Sequence, residues 1–242
     1  MKPDRHVEYA ANEFSCLAVA AGAGISVVER HLLRLGDRLT LAVARYDRTH
    51  TDGVIGRIHQ EDFCQATGAP PMAKYEFQQG PSLRQVAAIL QKYSSVDDAI
   101  DLARRVVCNI VLGNSDAHAK NLSLLHYPDG LIKLAPGYDL LSTVALGNIS
   151  ERGVSLSASA RMGQFVNGVQ NINSVTAADI AVEVSSWGNL NTQVSMGLVS
   201  ETISNLQAAA SEVDGSPAVL SVVRQRCASL LRSDPAGGVS PR

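Results

Sequence analysis

One helical segment constrains the fold of this chain more than any other feature. The sequence VDDAIDLARRVVCNIVL follows Ser95, which has the side chain of a helix N-cap, and it ends at Gly113. Asp97 and Asp98 stand in the first turn, where the helix dipole favours negative charge. Its second half has no polar face, so we predict that the helix is the buried spine of a domain. The residues expected inside are Val106, Val107, Ile110 and Val111.

The other patterns predict more helices together with short hairpins. Further helices are expected at about 10–23, 60–67, 82–93, 176–187, 192–210 and 218–231. Alternating apolar and polar residues predict a hairpin over 27–46 and a second one around the turn Pro128-Asp129-Gly130. We interpret 48–57 as a loop, 153–160 as a strand and 233–242 as a disordered tail. The fold class predicted is α+β.

Composition limits the function classes. The chain has 242 residues, of which 45% are hydrophobic, which is enough for a large core. Its net charge of −2 gives no electrostatic reason to expect direct nucleic-acid binding. No apolar stretch suggests a membrane span or a signal peptide, and the four scattered cysteines read as buried, reduced thiols. We therefore expect a cytoplasmic protein.

The segment NSDAHAKN, residues 114–121, holds most of the chemical information. Amides, a carboxylate, an imidazole and an ammonium group lie within eight residues, between the apolar helix and a hairpin. In protein kinases, an Asp that receives the proton of the substrate hydroxyl precedes a metal-binding Asn by five residues. Asp116 and Asn121 have this separation. The alternative is a loop whose polar side chains only cap their neighbours.

A second carboxylate stands where the following hairpin returns. Asp139 comes after Gly137 and Tyr138, and with Asn121 it would supply the oxygen ligands that Mg²⁺ prefers. The alternative interpretation of Asp139 is a simple turn residue. A zinc site using His118 with Asp116 or His126 lacks a third ligand at close spacing.

These motifs together resemble one known family. NSDAHAKNLSLL followed by LAPGYDLLST resembles the signature of HipA-like toxin kinases. The segments ANEFSCLAVAAGAGISV, LAVARYDR, HQEDFCQATG and KYEFQQGPS resemble the family's upstream segments, in the family's order. The resemblance implies a protein-kinase-like fold with a mostly helical C-lobe. Residues 1–46 would be a remnant of the N-lobe with the hinge, and residues 47–232 the C-lobe.

The resemblance also implies roles for single residues around the loop. Asp116 would be the catalytic base, and Asn121 and Asp139 would bind Mg²⁺. Lys120 would lie near the transferring phosphate, and His118 would organise the loop.

The resemblance further implies an ATP site. The hinge residues Ala44, Arg45 and Tyr46 would meet the adenine, Lys2 would hold the phosphates and Glu13 would be the acidic partner of Lys2. Lys2 has the alternative interpretation of a frayed terminal charge. The family's glycine-rich loop would precede Lys2 and is not in this sequence.

The function implied is a serine/threonine kinase of the toxin type, which transfers the γ-phosphate of ATP to a cytoplasmic protein. Its expected partners are the protein substrate and a HipB-like antitoxin or a separate N-lobe protein. We expect weak activity from the isolated chain, and exposed apolar residues on the first hairpin at Leu33, Leu39 and Leu41. The alternative function is a non-catalytic binding module, and a metal-dependent hydrolase built on Asp116 and His118 ranks third.

Overall fold

A computed structural model describes residues 5–147, 150–151, 154–155 and 160–238. Lys2 lies outside these residues. The helices are α1 (Arg5–Gly22), α2 (Phe63–Thr67), α3 (Leu83–Tyr93), α4 (Val96–Leu112), α5 (Thr143–Leu146), α6 (Ala177–Ser185), α7 (Thr192–Glu212) and α8 (Pro217–Leu231). The strands are β1 (Arg30–Leu35), β2 (Arg38–Val43), β3 (Arg48–Thr51), β4 (Val54–Arg57), β5 (His59–Asp62), β6 (Ser123–His126), β7 (Ile132–Leu134), β8 (Ser150–Glu151), β9 (Val154–Ser155), β10 (Arg161–Val166) and β11 (Val169–Asn171).

Helix α4 is the centre of the fold. It packs against α3, α6, α7 and α8. The Ser95 hydroxyl accepts a hydrogen bond from the Asp98 N–H, and Gly113 ends the helix in the left-handed conformation with a φ of 69°. The prediction of a buried spine is confirmed, because all four residues named for it are at most 5% exposed. In the part of the chain described, no helix combines the length and apolar character that crossing a bilayer would require.

A three-stranded antiparallel sheet has the strand order β5-β6-β7. Its central strand, β6, begins just after the candidate loop of residues 114–121. The predicted hairpin of β6 and β7 is confirmed. The helix predicted from residue 60 was wrong at its start, because β5 pairs with β6 with Glu61 opposite Leu124. Helix α2 begins only at Phe63, where the Asp62 side chain caps the Gln65 N–H.

Two further hairpins precede this sheet. The predicted hairpin of β1 and β2 is confirmed, and β2 packs on α1. The segment 48–57, predicted as a loop, is instead the hairpin of β3 and β4. It turns at Asp52-Gly53, where both residues have positive φ, and this dipeptide is a strong hairpin signal that the loop prediction overlooked.

The first hairpin leaves apolar side chains in solvent on part of its surface. Leu33 is 43% exposed and Leu35 is 60% exposed, so the expected exposure is confirmed for Leu33. Leu39 and Leu41 are half-buried. Leu41 packs on the main core, which explains why the expectation was too broad.

The C-terminal third contains two features that the sequence patterns did not predict. Strands β10 and β11 form a hairpin, whereas much of the strand predicted over 153–160 lies outside the described residues. The tail was expected to be disordered from residue 233, and this was wrong for 233–238. Ala236 is buried and its N–H donates to the Val175 carbonyl, while the Gly237 N–H donates to the Asn173 carbonyl. Residues 239–242 lie outside the described residues.

A reciprocal pair of hydrogen bonds joins α1 to the segment that precedes α5. The Asn12 amide donates to the Ser142 carbonyl at 3.1 Å, and its oxygen accepts from the Ser142 N–H at 2.8 Å. Both residues are buried, at 3% and 0% exposure. One side chain therefore satisfies two buried backbone groups far away in the sequence.

We expect Asn12→Ala to destabilise the fold by roughly 2–4 kcal/mol, because it leaves the buried N–H and C=O of Ser142 without partners. The measurement is urea unfolding followed by circular dichroism. Asn205→Ala, at an exposed position of α7, is the matched control and should change stability little. Equal stability of the two variants would contradict the importance of this pair.

Candidate active site

The loop of residues 114–121 is fixed from two sides. The Ser115 N–H donates to Oγ1 of Thr143 at 3.0 Å, which links the loop to α5. On the other side, the Gly163 N–H of β10 donates to the Ser115 carbonyl at 2.9 Å. A Cβ atom at Gly163 would lie 2.4 Å from the Ala117 carbonyl oxygen, so the close approach of β10 requires glycine. The sequence analysis did not assign a role to this strand.

Asp116 has one carboxylate oxygen held in place. The Tyr75 hydroxyl donates to Oδ1 of Asp116 at 2.6 Å, and the Asp116 N–H donates to Oδ1 of Asn114 at 3.2 Å. Tyr75 belongs to the KYEFQQGPS segment, in which the sequence analysis assigned no site residue. The reason is that a contact across 41 residues leaves no local pattern.

Asn121 and Asp139 lie in direct contact. The Asn121 amide nitrogen donates a short hydrogen bond to Oδ2 of Asp139, and its oxygen accepts from the His118 N–H at 3.0 Å. Asp139 has a φ of 55°, a left-handed conformation that Asp tolerates better than most residues. The structure thus brings together the two residues predicted to bind the metal.

The negative charge of Asp116 affects the pKa of Asp139. Although part of the Asp139 surface is open to solvent, the surrounding protein removes water from the carboxylate and raises its pKa, and repulsion by Asp116 raises it further. The Asn121 hydrogen bond and the positive charge of Lys74 act in the opposite direction. Asp116, Asn121 and Lys74 are therefore all close enough to affect the Asp139 carboxylate.

Glu13 on α1 is a third carboxylate at this place. Burial raises the pKa of Glu13 to about 7, repulsion by Asp139 adds to the rise, and a hydrogen bond from the Asp139 N–H opposes it. Glu13 was predicted as the partner of Lys2, which lies outside the described residues. Its contact here is with Asp139.

His118 is buried and is paired with a lysine that the sequence analysis missed. Its Nε2 atom lies 2.8 Å from Nζ of Lys74. The pKa of His118 is lowered to about 4, mainly because the imidazole is buried and secondly because of the positive charge of Lys74. The Lys74 ammonium also lies 4.7 Å from the centre of the Tyr75 ring. The backbone N–H of His118 anchors the Asn121 side chain, and the role of the imidazole in organising the loop stays a prediction.

Lys120 borders a cavity of about 680 Å³ on the hinge side. Its expected place near the transferring phosphate stays a prediction. The Lys120 carbonyl accepts from the Tyr138 hydroxyl at 2.7 Å, and the Tyr138 ring stacks on Tyr46 with centroids 5.8 Å apart. The cavity is lined by Arg45, Asp47, Arg57, Ile58, His59, Gln60, Asp62, Gln65, Lys120, Ser123 and Tyr138.

The three predicted hinge residues differ in what they offer to this cavity. The Ala44 N–H already donates to the Glu29 carbonyl at 2.9 Å, so it is not available to a ligand. Arg45 borders the cavity and pairs with Asp47 at 2.5 Å. Tyr46 stacks its ring on Tyr138, which lines the cavity. The adenine contact expected from the backbone of Ala44, Arg45 and Tyr46 stays a prediction.

The donor groups fit magnesium better than zinc. Asn121 and Asp139 offer oxygen atoms, and Mg²⁺ completes its coordination with water and phosphate oxygens. Among the described residues, no group of three or more His, Cys, Asp or Glu side chains is arranged to hold a metal ion. His126, considered above for zinc, pairs instead with Glu61 at 3.0 Å.

Comparison with known proteins places this arrangement in context. The family model described as the HipA-like C-terminal domain matches residues 1–212. A protein of Sinorhizobium fredii named "Putative kinase Y4mE" is 43% identical over 144 residues, which cover 58% of this chain and 34% of that protein. The serine/threonine-protein kinase toxin HipA of Shewanella oneidensis is 29% identical over 156 residues, covering 59% of this chain and 36% of the toxin. The chain thus spans about a third of the length of these curated relatives.

A solved structure supports the fold. The complex of Shewanella oneidensis HipA with HipB and its operator DNA matches with a TM-score of 0.75 at 23% identity. The match covers 93% of this chain and 55% of that chain. The α+β, kinase-like fold predicted from the sequence is confirmed by this likeness.

We expect the contribution of Glu13 to the free energy of unfolding to fall as the pH rises from 4.5 to about 7, because the native state binds a proton at Glu13 more tightly than the unfolded chain does. The lowered pKa of His118 contributes a rise over part of this range, so the Glu13 contribution is the difference between the wild type and a Glu13 variant. Glu13→Gln should flatten this fall, since the amide imitates the protonated acid beside Asp139 and Cys16. The measurement is urea unfolding in metal-free buffer across that range. Glu8→Gln, at an exposed position of the same helix, should keep the full slope.

Proposed function

The chain belongs to the HipA-like C-terminal domain family, and from this premise we propose that it is a serine/threonine protein kinase domain. It transfers the γ-phosphate of ATP to a hydroxyl group of a protein. The observation that carries the proposal is the contact of Asn121 with Asp139, whose carboxylate lies close enough to Asp116 for the two charges to repel each other. A simple capping loop would not require two distant carboxylates and an amide to meet.

Asp116 serves as the base in this proposal. The substrate O–H bond breaks and its proton passes to the Asp116 carboxylate, while the substrate oxygen forms a bond to the γ-phosphorus. The bond from that phosphorus to the bridging oxygen breaks, and ADP leaves with the electron pair. Tyr75 holds one Asp116 oxygen at 2.6 Å, so the carboxylate is oriented before the substrate arrives.

Mg²⁺ bound with ATP would neutralise the phosphate charge. Asn121 and Asp139 would hold it through their oxygen atoms. In the structure, the Asn121 amide nitrogen donates a hydrogen bond to Oδ2 of Asp139. Binding a cation would require this hydrogen bond to break, so that the oxygen atoms of both side chains can face the cation. Glu13 and Asp116 add negative charge nearby, which favours a cation at the cleft.

The hinge-side cavity is the proposed site of the nucleotide base. It is large enough for an adenine ring and ribose, and it is lined by Tyr138, on whose ring Tyr46 stacks. Arg45 and Lys120 bring positive charge to the same cavity. We propose residues 1–46 as the part that belongs to the nucleotide lobe, with Lys2 near the phosphates, and residues 47–232 as the catalytic lobe.

The partners proposed are a cytoplasmic protein substrate and a HipB-like antitoxin. The Shewanella oneidensis structure contains HipA together with HipB, which supports the second. The exposed Leu33 and Leu35 of the first hairpin favour an additional contact there with a complementary N-lobe segment or chain. The same exposed residues support the second candidate function, a non-catalytic module that binds such a partner.

We expect Asp116→Asn to reduce phosphate transfer by about 100- to 10,000-fold with little change in nucleotide affinity, because only the base is lost. Asp139→Asn should reduce both, because it removes a metal ligand. Asp129→Asn, in the exposed turn between β6 and β7, is the control and should change neither.

The measurements are transfer of radiolabelled γ-phosphate to the chain itself or to proteins of a cell extract, and calorimetry with Mg²⁺-ATP. The kinase proposal is contradicted if Asp116→Asn and Asp139→Asn behave like the control. Tight ATP binding without any transfer would favour the binding module.

A further inference from the structure

We propose that the Lys74 ammonium group is the cation that binds the transferring phosphate, and that His118 is the positioning residue that holds it there. Lys120, for which the family resemblance implied this task, lines the hinge-side cavity. The inference rests on the proposed kinase function and names a further catalytic residue for it.

The backbone of Lys74 is tied to the candidate loop. Its carbonyl accepts a hydrogen bond from the Ala119 N–H at 3.2 Å. The turn after it is closed by the Gly80 N–H, which donates to the Tyr75 carbonyl at 2.9 Å. A Cβ atom at Gly80 would lie 2.4 Å from the Ala73 carbonyl oxygen, so this turn depends on glycine. The position of Lys74 is therefore set by the loop that carries Asp116.

The chemistry of the pair fixes which atom carries each proton. A lysine ammonium group has three N–H donors and no acceptor, so at 2.8 Å the Nε2 atom of His118 must be the acceptor. The imidazole is then neutral, which agrees with its burial, and its proton is on Nδ1, a buried atom without a hydrogen-bond partner among the described residues. One ammonium N–H is used by His118, and two remain for phosphate oxygens.

The charge of Lys74 lies near both functional carboxylates. The ammonium lies 4.7 Å from the centre of the Tyr75 ring, whose hydroxyl donates to Asp116. It is also close enough to Asp139 to oppose the rise in the pKa of that carboxylate. In our proposal, a phosphate that passes from a metal at Asp139 to a hydroxyl at Asp116 comes within reach of this ammonium.

Lys120 also acts on His118, but its charge has a smaller effect there than that of Lys74. Its other neighbours, around the hinge-side cavity, include Asp62, Gln65 and Tyr138, and its carbonyl accepts from the Tyr138 hydroxyl. We assign the stabilisation of the phosphate charge to Lys74, which lies 42 positions before Asp116 in the sequence and contacts His118 in the folded chain.

During transfer, the two remaining Lys74 N–H groups donate to the γ-phosphoryl oxygens and the lysine keeps its proton. The atoms exchanged are those of the step described above: a proton to Asp116, the phosphoryl group to the substrate oxygen, and ADP as the leaving group. Lys74 thus stabilises charge without taking part in bond formation.

The test compares binding of two nucleotides, ADP and the non-hydrolysable ATP analogue AMP-PNP, each with Mg²⁺, by calorimetry. We expect the wild-type chain to prefer AMP-PNP, and Lys74→Met to lose about 10- to 100-fold of this preference, as expected for a charge-assisted contact to the γ-phosphate. Lys74→Arg should keep most of it. Lys120→Met should weaken both nucleotides alike, and Lys133→Met on β7 should leave both unchanged.

The outcomes separate the two proposals. If Lys74→Met and Lys74→Arg both bind AMP-PNP and ADP with the wild-type ratio, Lys74 does not bind the phosphate, although the kinase proposal stands. If the wild-type chain binds neither nucleotide, both proposals fail. Thermal unfolding of each variant shows whether a loss of binding comes from a loss of folding.

The role of His118 has its own spectroscopic readout. In ¹⁵N-labelled protein, the His118 ring should show a protonated Nδ1 and an unprotonated Nε2, and Lys74→Met should shift the Nε2 resonance. His118→Gln, which keeps an acceptor, should retain the AMP-PNP preference better than His118→Leu. A ring protonated at Nε2 would overturn the proposed arrangement.

Discussion

The pairing of Asn12 with Ser142 is the constraint on which the geometry of the cleft depends. It joins the first helix to the chain just after Asp139, while Thr143 next to it accepts from the N–H of Ser115 in the candidate loop. Two adjacent residues thus bind the first helix on one side and the loop on the other. Because these bonds are buried, they are not weakened by competition with water, and the carboxylates attached to this frame cannot drift apart.

The frame holds together groups that repel one another. Glu13, Asp116 and Asp139 come from three separate elements. Burial, and after it repulsion between these carboxylates, raises the pKa values of Glu13 and Asp139. Carboxylates arranged to bind a cation and a phosphate lower the stability of the folded chain when these ligands are absent. Such a loss of stability at a functional site is common. The folding energy that holds this cluster comes from the apolar packing around α4.

The parts of the fold that could be predicted from sequence were those with local periodicity. The buried helix α4 and the hairpin of β6 and β7 each carry their pattern within a few residues. Strand β5 could not be recognised because its four polar residues, HQED, form a strand only by pairing with β6. In the same way, the spacing of Asp116 and Asn121 identified the loop, but Lys74 and Tyr75 reach it only through tertiary contacts.

The burial of the C-terminal region bears on how this unit can be isolated. The family model ends at residue 212, yet α8 lies beyond it and supplies buried residues to the same core. Arg226 on that helix is 3% exposed and donates to the carbonyls of Ile110 and Ile172. An expression clone cut at the family boundary would remove this guanidinium and uncover the end of α4. The smallest piece suited to crystallisation or labelling therefore extends through residue 238, with any affinity tag placed after it.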